Sequence, residues 1–324
     1  MRVLLAADSI IALDILLNEM STRSWPAGTK AHVLSVVEDD DVPEGVWREM
    51  GYGTDALRVE MRRRGEQITS LATMRLNELG IPSKTTIMRG SPASLITLEA
   101  WKWSADLILI RANNRTRFGN RLLGSVAKSV LASAACSVNL VRPDESQILT
   151  AKRPTKILLA TDGSERSIDA AHAVAQTTWP AETLVKVVSV VRPPISVLGK
   201  IGLSLGGRTD RAHRAIGEVV QILKKAPVTI TAAVISGRPA QKIVDEAKSW
   251  SATLIVVGKS QQRGLFSRSI SETVANRAHC SVKIIRRREP FEDGQSLARD
   301  LTPSDHRGRT VYELTENRAW KSVA

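Results

Sequence analysis

Aromatic side chains are scarce in this 324-residue chain, at 4% of the total, and cysteine occurs only twice. Single-stranded nucleic acids are held on aromatic platforms interleaved with positive charge, and so few rings leave little for bases to stack on. The net charge is +13, but the 46 Lys and Arg residues are dispersed among 33 acids rather than gathered into a stripe. General attraction to polyanions follows from such a balance, while specific nucleic-acid recognition is not expected. Long apolar runs are missing too. No stretch approaches the roughly 18 to 20 residues a membrane helix needs, so no membrane partner is expected. The amino terminus enters an apolar segment at Arg2 without the charged region and small-residue cleavage site of a signal peptide. The expected location is cytoplasmic.

Catalytic and metal-binding patterns are also thin. The five histidines, His32, His172, His213, His279 and His306, are scattered along the chain. Cys136 and Cys280 stand far apart, each just ahead of an apolar strand, and are read as small buried hydrophobes. Metal sites need clustered ligands, so none is expected. There is no GxxxxGK[ST] loop, no SGGxDS loop and no HIGH-type pair after the first strand. The glycines Gly199, Gly202, Gly206 and Gly207 follow Pro193-Pro194 without the strand and helix start a GxGxxG fingerprint requires, and read as a flexible lid or a disordered loop. No enzyme is expected, apart from slow incidental ATP hydrolysis.

What the sequence does contain is a repeat. Val3 to Asp8 answers Ile157 to Asp162, Trp25-Pro26 answers Trp179-Pro180, and Ser35-Val36-Val37 answers Ser189-Val190-Val191, all at one offset. Gly90 with Gly237, Pro92-Ala93 with Pro239-Ala240, and Trp103-Ser104-Ala105 with Trp250-Ser251-Ala252 share a second offset, seven residues shorter. Cys136-Ser137-Val138 with Cys280-Ser281-Val282 gives a third, shorter by three more. Both losses are expected in connections, where length changes cost little.

Each repeat reads as strand, helix, strand, helix, strand, helix, strand, helix, strand. The strands, such as Arg2 to Ala7 and Lys30 to Val37, are apolar on both faces, as a buried parallel sheet requires. Crossover helices between them imply an α/β fold of two repeated, doubly wound, parallel five-stranded sheets. The expected division is 1–142, a linker at 143–155, 156–286, and a polar tail at 287–324 read as disordered. The acidic run Asp39-Asp40-Asp41 reads as a solvated loop.

These residues resemble the universal stress proteins in a tandem two-domain form. The marks are Asp162-Gly163-Ser164 after the first strand, the Gly-x-Pro-Ala turns at Gly90 and Gly237, Gly124-Ser125-Val126, and the Cys-Ser-Val last strands. The resemblance implies an adenine-nucleotide α-hydrolase-like sheet and an intramolecular pseudo-dimer in which Ser137–Val141 and Ser281–Ile285 pair or lie adjacent. It also implies a cytoplasmic stress-response regulatory module. ATP-binding members carry a glycine, two residues, a second glycine, nine residues, then Gly-Ser or Gly-Thr before a helix, because glycine lets backbone N–H groups approach phosphate. Here Arg111 and Asn114 replace the two glycines of the first repeat, while Gly124-Ser125 is intact. Arg115, Arg117 and Arg121 could supply cations there instead. The second repeat keeps Gly258, but has Gln261 for the second glycine and Arg268-Ser269 for Gly-Ser. By position, the resemblance implies nucleotide contacts at Ala160, Thr161, Asp162, Val190, Val257, Gly258 and Ser269. In the first repeat it implies Ala6, Ala7, Asp8, Val36, Ile110, Gly124, Ser125 and Val126. Asp8 and Asp162 also fit plain caps of strand-to-helix turns, and Ser269 with Glu272 fits a capping box. Two readings stay open: an ATP-binding regulator, and a scaffold for an unknown protein partner that takes no nucleotide. A further homodimer of the whole chain also stays open.

Overall fold

The computed structural model describes residues 1–37, 54–112, 115–117, 120–143, 155–193, 206–259, 269–287, 312–314 and 320–322. Asp39-Asp40-Asp41, Asn114, Gln261, Arg268, Gly199, Gly202 and nearly all of the linker lie outside these residues. The first repeat runs β1 (Arg2–Ala6), α1 (Ile10–Ser21), β2 (Lys30–Val37), α2 (Thr54–Glu78), β3 (Ser83–Arg89), α3 (Pro92–Lys102) and β4 (Leu107–Arg111). It continues through β5 (Arg115–Arg117), β6 (Asn120–Leu122), α4 (Ser125–Ser133) and β7 (Ser137–Val141). The second runs β8 (Lys156–Ala160), α5 (Glu165–Ala175), β9 (Leu184–Val191), α6 (Gly206–Leu223), β10 (Thr229–Ser236), α7 (Pro239–Ser249), β11 (Leu254–Gly258), α8 (Ile270–Arg277) and β12 (Ser281–Ile285).

All ten long strands join one sheet in the order β10-β9-β8-β11-β12-β7-β4-β1-β2-β3. Within each repeat the neighbours run parallel, as the crossover helices demand. Only β7 and β12 meet antiparallel, with Asn139 opposite Lys283 at the centre of their register. The expected pseudo-dimer is therefore formed by the two last strands.

Every residue of β7 and of β12 is buried, and their side chains are apolar or small except for Asn139 and Lys283, which meet at the seam. One face of the sheet carries a single core that crosses the seam, joining Leu131, Val138 and Leu140 to Val274, Val282 and Ile284. The other face carries two separate cores, one under α1 and α2, the other under α5 and α6. Between them sits a polar cluster. Glu19 Oε1 accepts from Arg23 Nη2 at 2.7 Å and from Asn139 Nδ2 at 2.9 Å. The Arg23 guanidinium lies 4.8 Å from the Trp25 ring and 5.3 Å from that of Trp179, one tryptophan from each repeat.

The structure amends the sequence reading in four places. The seven-residue loss falls mainly in a helix, since α2 has 25 residues and its counterpart α6 has 18. An amphipathic helix can lose whole turns while keeping its buried face, so a helix absorbs such a deletion as readily as a loop. The Arg-rich stretch after β4 contains the β5–β6 hairpin rather than loop alone. Gly206 and Gly207 open α6 instead of lying in the glycine-rich loop. In the tail, β13 (Tyr312–Leu314) and β14 (Trp320–Ser322) pair as an antiparallel hairpin.

Candidate functional site

The residues singled out by position gather at the carboxyl ends of the parallel strands, where open α/β sheets hold their ligands. In the second repeat the polar ones are held by local hydrogen bonds. Thr161 is buried, its Oγ1 sharing a hydrogen bond with Ser167 Oγ at 3.0 Å and accepting from the Gly163 N–H at 3.2 Å. Asp162 is exposed, and its Oδ1 accepts from the Ser164 N–H at 3.0 Å. Burial works to raise the Asp162 carboxyl, but hydrogen bonds from Ser164 and Ser167 outweigh it and hold the group below its ordinary value. Gly163 has φ of 74°, a left-handed turn that favours glycine, and a Cβ there would meet Ala215 of α6.

Gly258 has a structural reason to be glycine. A Cβ at this position would stand 2.4 Å from the Arg166 carbonyl oxygen, because the first turn of α5 presses on the end of β11. Arg166 Nη1 also donates to the Lys259 carbonyl at 3.3 Å. Ser269, 3% exposed, caps α8 by accepting from the Glu272 N–H at 3.1 Å. The capping box is only half made, since the Glu272 carboxylate turns to Lys259 Nζ at 3.0 Å. Val257 is buried, and Ala160 and Val190 are half-buried at the same strand ends. Three of the polar candidates in this repeat are thus engaged in holding the fold.

The first repeat is arranged differently. Ser9 rather than the counterpart of Ser164 caps the helix, accepting from the Ala12 N–H at 3.2 Å and donating to Asp8 Oδ1 at 2.9 Å. Asp8 is exposed; Ala6, Ala7 and Ile110 are buried, and Val36 is half-buried. Arg111 occupies the place of Gly258, half-buried at the end of β4. Gly124 is the N-cap of α4, with no side-chain cap and no acid in the first turn. Ser125 is exposed and Val126 half-buried beside it. Among the described residues the first N–H groups of α4 thus meet no side-chain cap, the ordinary setting for an anion.

Sequence reasoning missed Lys259. Its ammonium reaches from the end of β11 across the seam to the Leu131 carbonyl of α4 at 3.2 Å while pairing with Glu272. Burial and the nearby Arg286 pull its pKa below the usual range, against Glu272. The signal was the contrast between Lys259 and Ala112, its counterpart, but only the fold shows what the ammonium touches. Among the described residues no three His, Cys, Asp or Glu side chains are placed to hold a metal ion. No described helix is long and apolar enough to cross a membrane.

Two parallel α/β units joined through their fifth strands define a tandem, doubly wound α/β protein. The Universal stress protein family matches residues 2–142 and 154–286, and the chain belongs to that family. A universal stress protein of Mycobacterium tuberculosis (strain ATCC 25618 / H37Rv) is 24% identical over 290 residues, covering 86% of this chain and 96% of the relative. One from Methanocaldococcus jannaschii is 30% identical over 139 residues, 41% of this chain and 82% of that protein. The crystal structure of a universal stress protein from Archaeoglobus fulgidus DSM 4304 shares the fold, with a TM-score of 0.63 at 19% identity, covering 89% of this chain and 98% of that one.

Proposed function

We propose that the protein is a cytoplasmic, non-catalytic regulatory module of the stress response that takes an adenine nucleotide, ATP, at the first repeat and uses the equivalent place in the second repeat as structure. Residues 1–142 and 156–286 act as the two units, with 143–155 as linker. The observation that carries this reading is the difference between the two last helices. Gly124 leaves the start of α4 uncapped and free of acid, whereas Ser269 caps α8 and Glu272 stands in its first turn. A phosphate is favoured by open N–H groups and disfavoured by a neighbouring carboxylate. Ser125 and Val126 would flank the phosphates, and Asp8 and Val36 the ribose and base. Arg111, in a glycine's place, supplies a cation where the backbone approach is lost.

Calorimetric titration of ATP-Mg into the full-length protein tests this. Saturable binding that Gly124→Arg abolishes and Asp162→Ala leaves intact is the expected result. Binding lost only in Asp162→Ala would move the site to the second repeat. The absence of binding by the folded wild type at millimolar ATP would leave a protein-interaction scaffold, the reading favoured by the engagement of Thr161, Asp162 and Ser269 in internal hydrogen bonds.

A further inference from the structure

The two outer edges of the sheet, β3 and β10, are equivalent by the internal repeat, yet they are finished differently. Ile87 and Met88 of β3 are 0% and 6% exposed, while their counterparts Val234 and Ile235 of β10 are only half-buried. For Ile87 and Val234 the covering helices differ. In α2, Gly65 lets Ile87 come so close that a Cβ there would lie 3.0 Å from it, whereas Gly217 of the shorter α6 has nothing within 4 Å. β3 also carries Lys84 and Arg89, and β13 of the tail lies against it. β10 is eight residues of Thr229-Ile-Thr-Ala-Ala-Val-Ile-Ser236, with no charge, proline or glycine, and among the described residues nothing pairs with its outer edge. Natural edge strands are usually blunted by charge, proline or a covering element, and a long neutral one left bare is a pairing surface.

We propose that β10 joins two copies of this chain, edge to edge and antiparallel, extending the sheet through a two-fold axis. Several features select a second copy over a foreign strand. The segment is self-complementary: centred on Ala232, Ile230 faces Val234 of the partner subunit, and Thr229 faces Ile235 of the partner subunit. Alanine at the axis avoids crowding where a residue meets itself. A chain of net charge +13 repels its own copy over most of its surface, and this neutral strip is where close approach costs least. An acidic partner would instead be met by basic side chains, which β10 lacks. The chain already uses the same geometry internally, where β7 and β12 pair antiparallel about equivalent residues.

Light scattering coupled to size exclusion on the full-length protein is the test. The wild type is expected at about twice the chain mass of 35.3 kDa. Ala232→Arg and, separately, Thr231→Lys, both at exposed positions, should halve that mass with the circular dichroism unchanged. A monomeric wild type at tens of micromolar overturns the proposal. So does a dimer that persists in either folded variant.

Discussion

Arg142 and Arg286 stand at the same position in the two repeats, one residue beyond the last strand, and each caps the last helix of the other repeat. Arg142 donates to the carbonyl of Ala275 at 2.6 Å, in the last turn of α8, and to that of Cys280 at 3.1 Å, just ahead of β12. Arg286 donates to the carbonyls of Leu131 and Ala134, at the end of α4. The exchange is completed by backbone contacts, the Arg142 N–H to Ser281 Oγ and the Arg286 N–H to Ser137 Oγ. Cations at a helix carboxyl end satisfy its unpaired carbonyls and its dipole together.

Arg142→Ala should therefore destabilise the protein by about 2–3 kcal/mol, the range for charge-assisted hydrogen bonds whose buried acceptors are left unmet. Arg286→Ala should cost a similar amount. Urea unfolding checks both, with the midpoint falling in each variant. A midpoint unchanged in either one refutes the reciprocal latch.

Lys283 predicts a rise of stability with pH. Burial, reinforced by Arg23 and opposed by Glu19, pulls its pKa from 10.5 to about 7. Between those values the unfolded chain holds a proton that the folded chain has released, so stability increases with pH across that window by about 1.4 kcal/mol per unit. Below pH 7 the cost of the buried charge is present in full. Lys283→Met should flatten this dependence in thermal unfolding between pH 7 and 10, and an unaltered slope would contradict it.

His32 predicts a second rise of stability with pH, in an acidic window. It is fully buried, with Nε2 2.9 Å from Thr86 Oγ1 and its ring edge-on to Trp103. Burial, helped by Lys84, lowers its pKa from 6.5 to about 3. Stability is then complete above pH 6.5 and declines as the pH falls toward 3, while the unfolded chain takes up the proton. His32→Gln should shift acid unfolding to lower pH. In the second repeat Lys186 takes this place and pairs with Glu246 at 2.5 Å.

Gly258→Ala should be severe even without any ligand. The added methyl meets backbone at the Arg166 carbonyl, which cannot rotate away as a side chain would, so a loss of about 2–3 kcal/mol is expected from forced backbone shifts. Denaturant unfolding of the unliganded protein measures it. A neutral substitution would return Gly258 to a purely ligand-directed role.

The repeat made the architecture legible, because paired residues such as Asp8 and Asp162 or Trp25 and Trp179 hold one offset only if both halves fold alike. The seam was legible for the same reason, and Cys136 and Cys280 are both buried ahead of the strands that form it. What sequence could not supply were contacts made across the chain. Gly258 looked like a phosphate glycine because its neighbour in space, the Arg166 carbonyl, is far away in sequence. Arg142 and Arg286 were visible as equivalent residues, but their exchange depends on the antiparallel meeting of β7 and β12. The shortening of α6 was hidden because its apolar spacing survives the loss of whole turns.

The single antiparallel junction at β7 and β12 also fixes direction. Every strand that one half gives to the ten-stranded sheet points opposite to every strand given by the other, so Gly124 and Ser269 stand at opposite rims of the sheet. A partner gripping one rim leaves the other exposed, and a compact ligand cannot bridge them. One rim therefore carries the uncapped helix start at Gly124 and the other the capped one at Ser269, so the two ends of the molecule are chemically unlike.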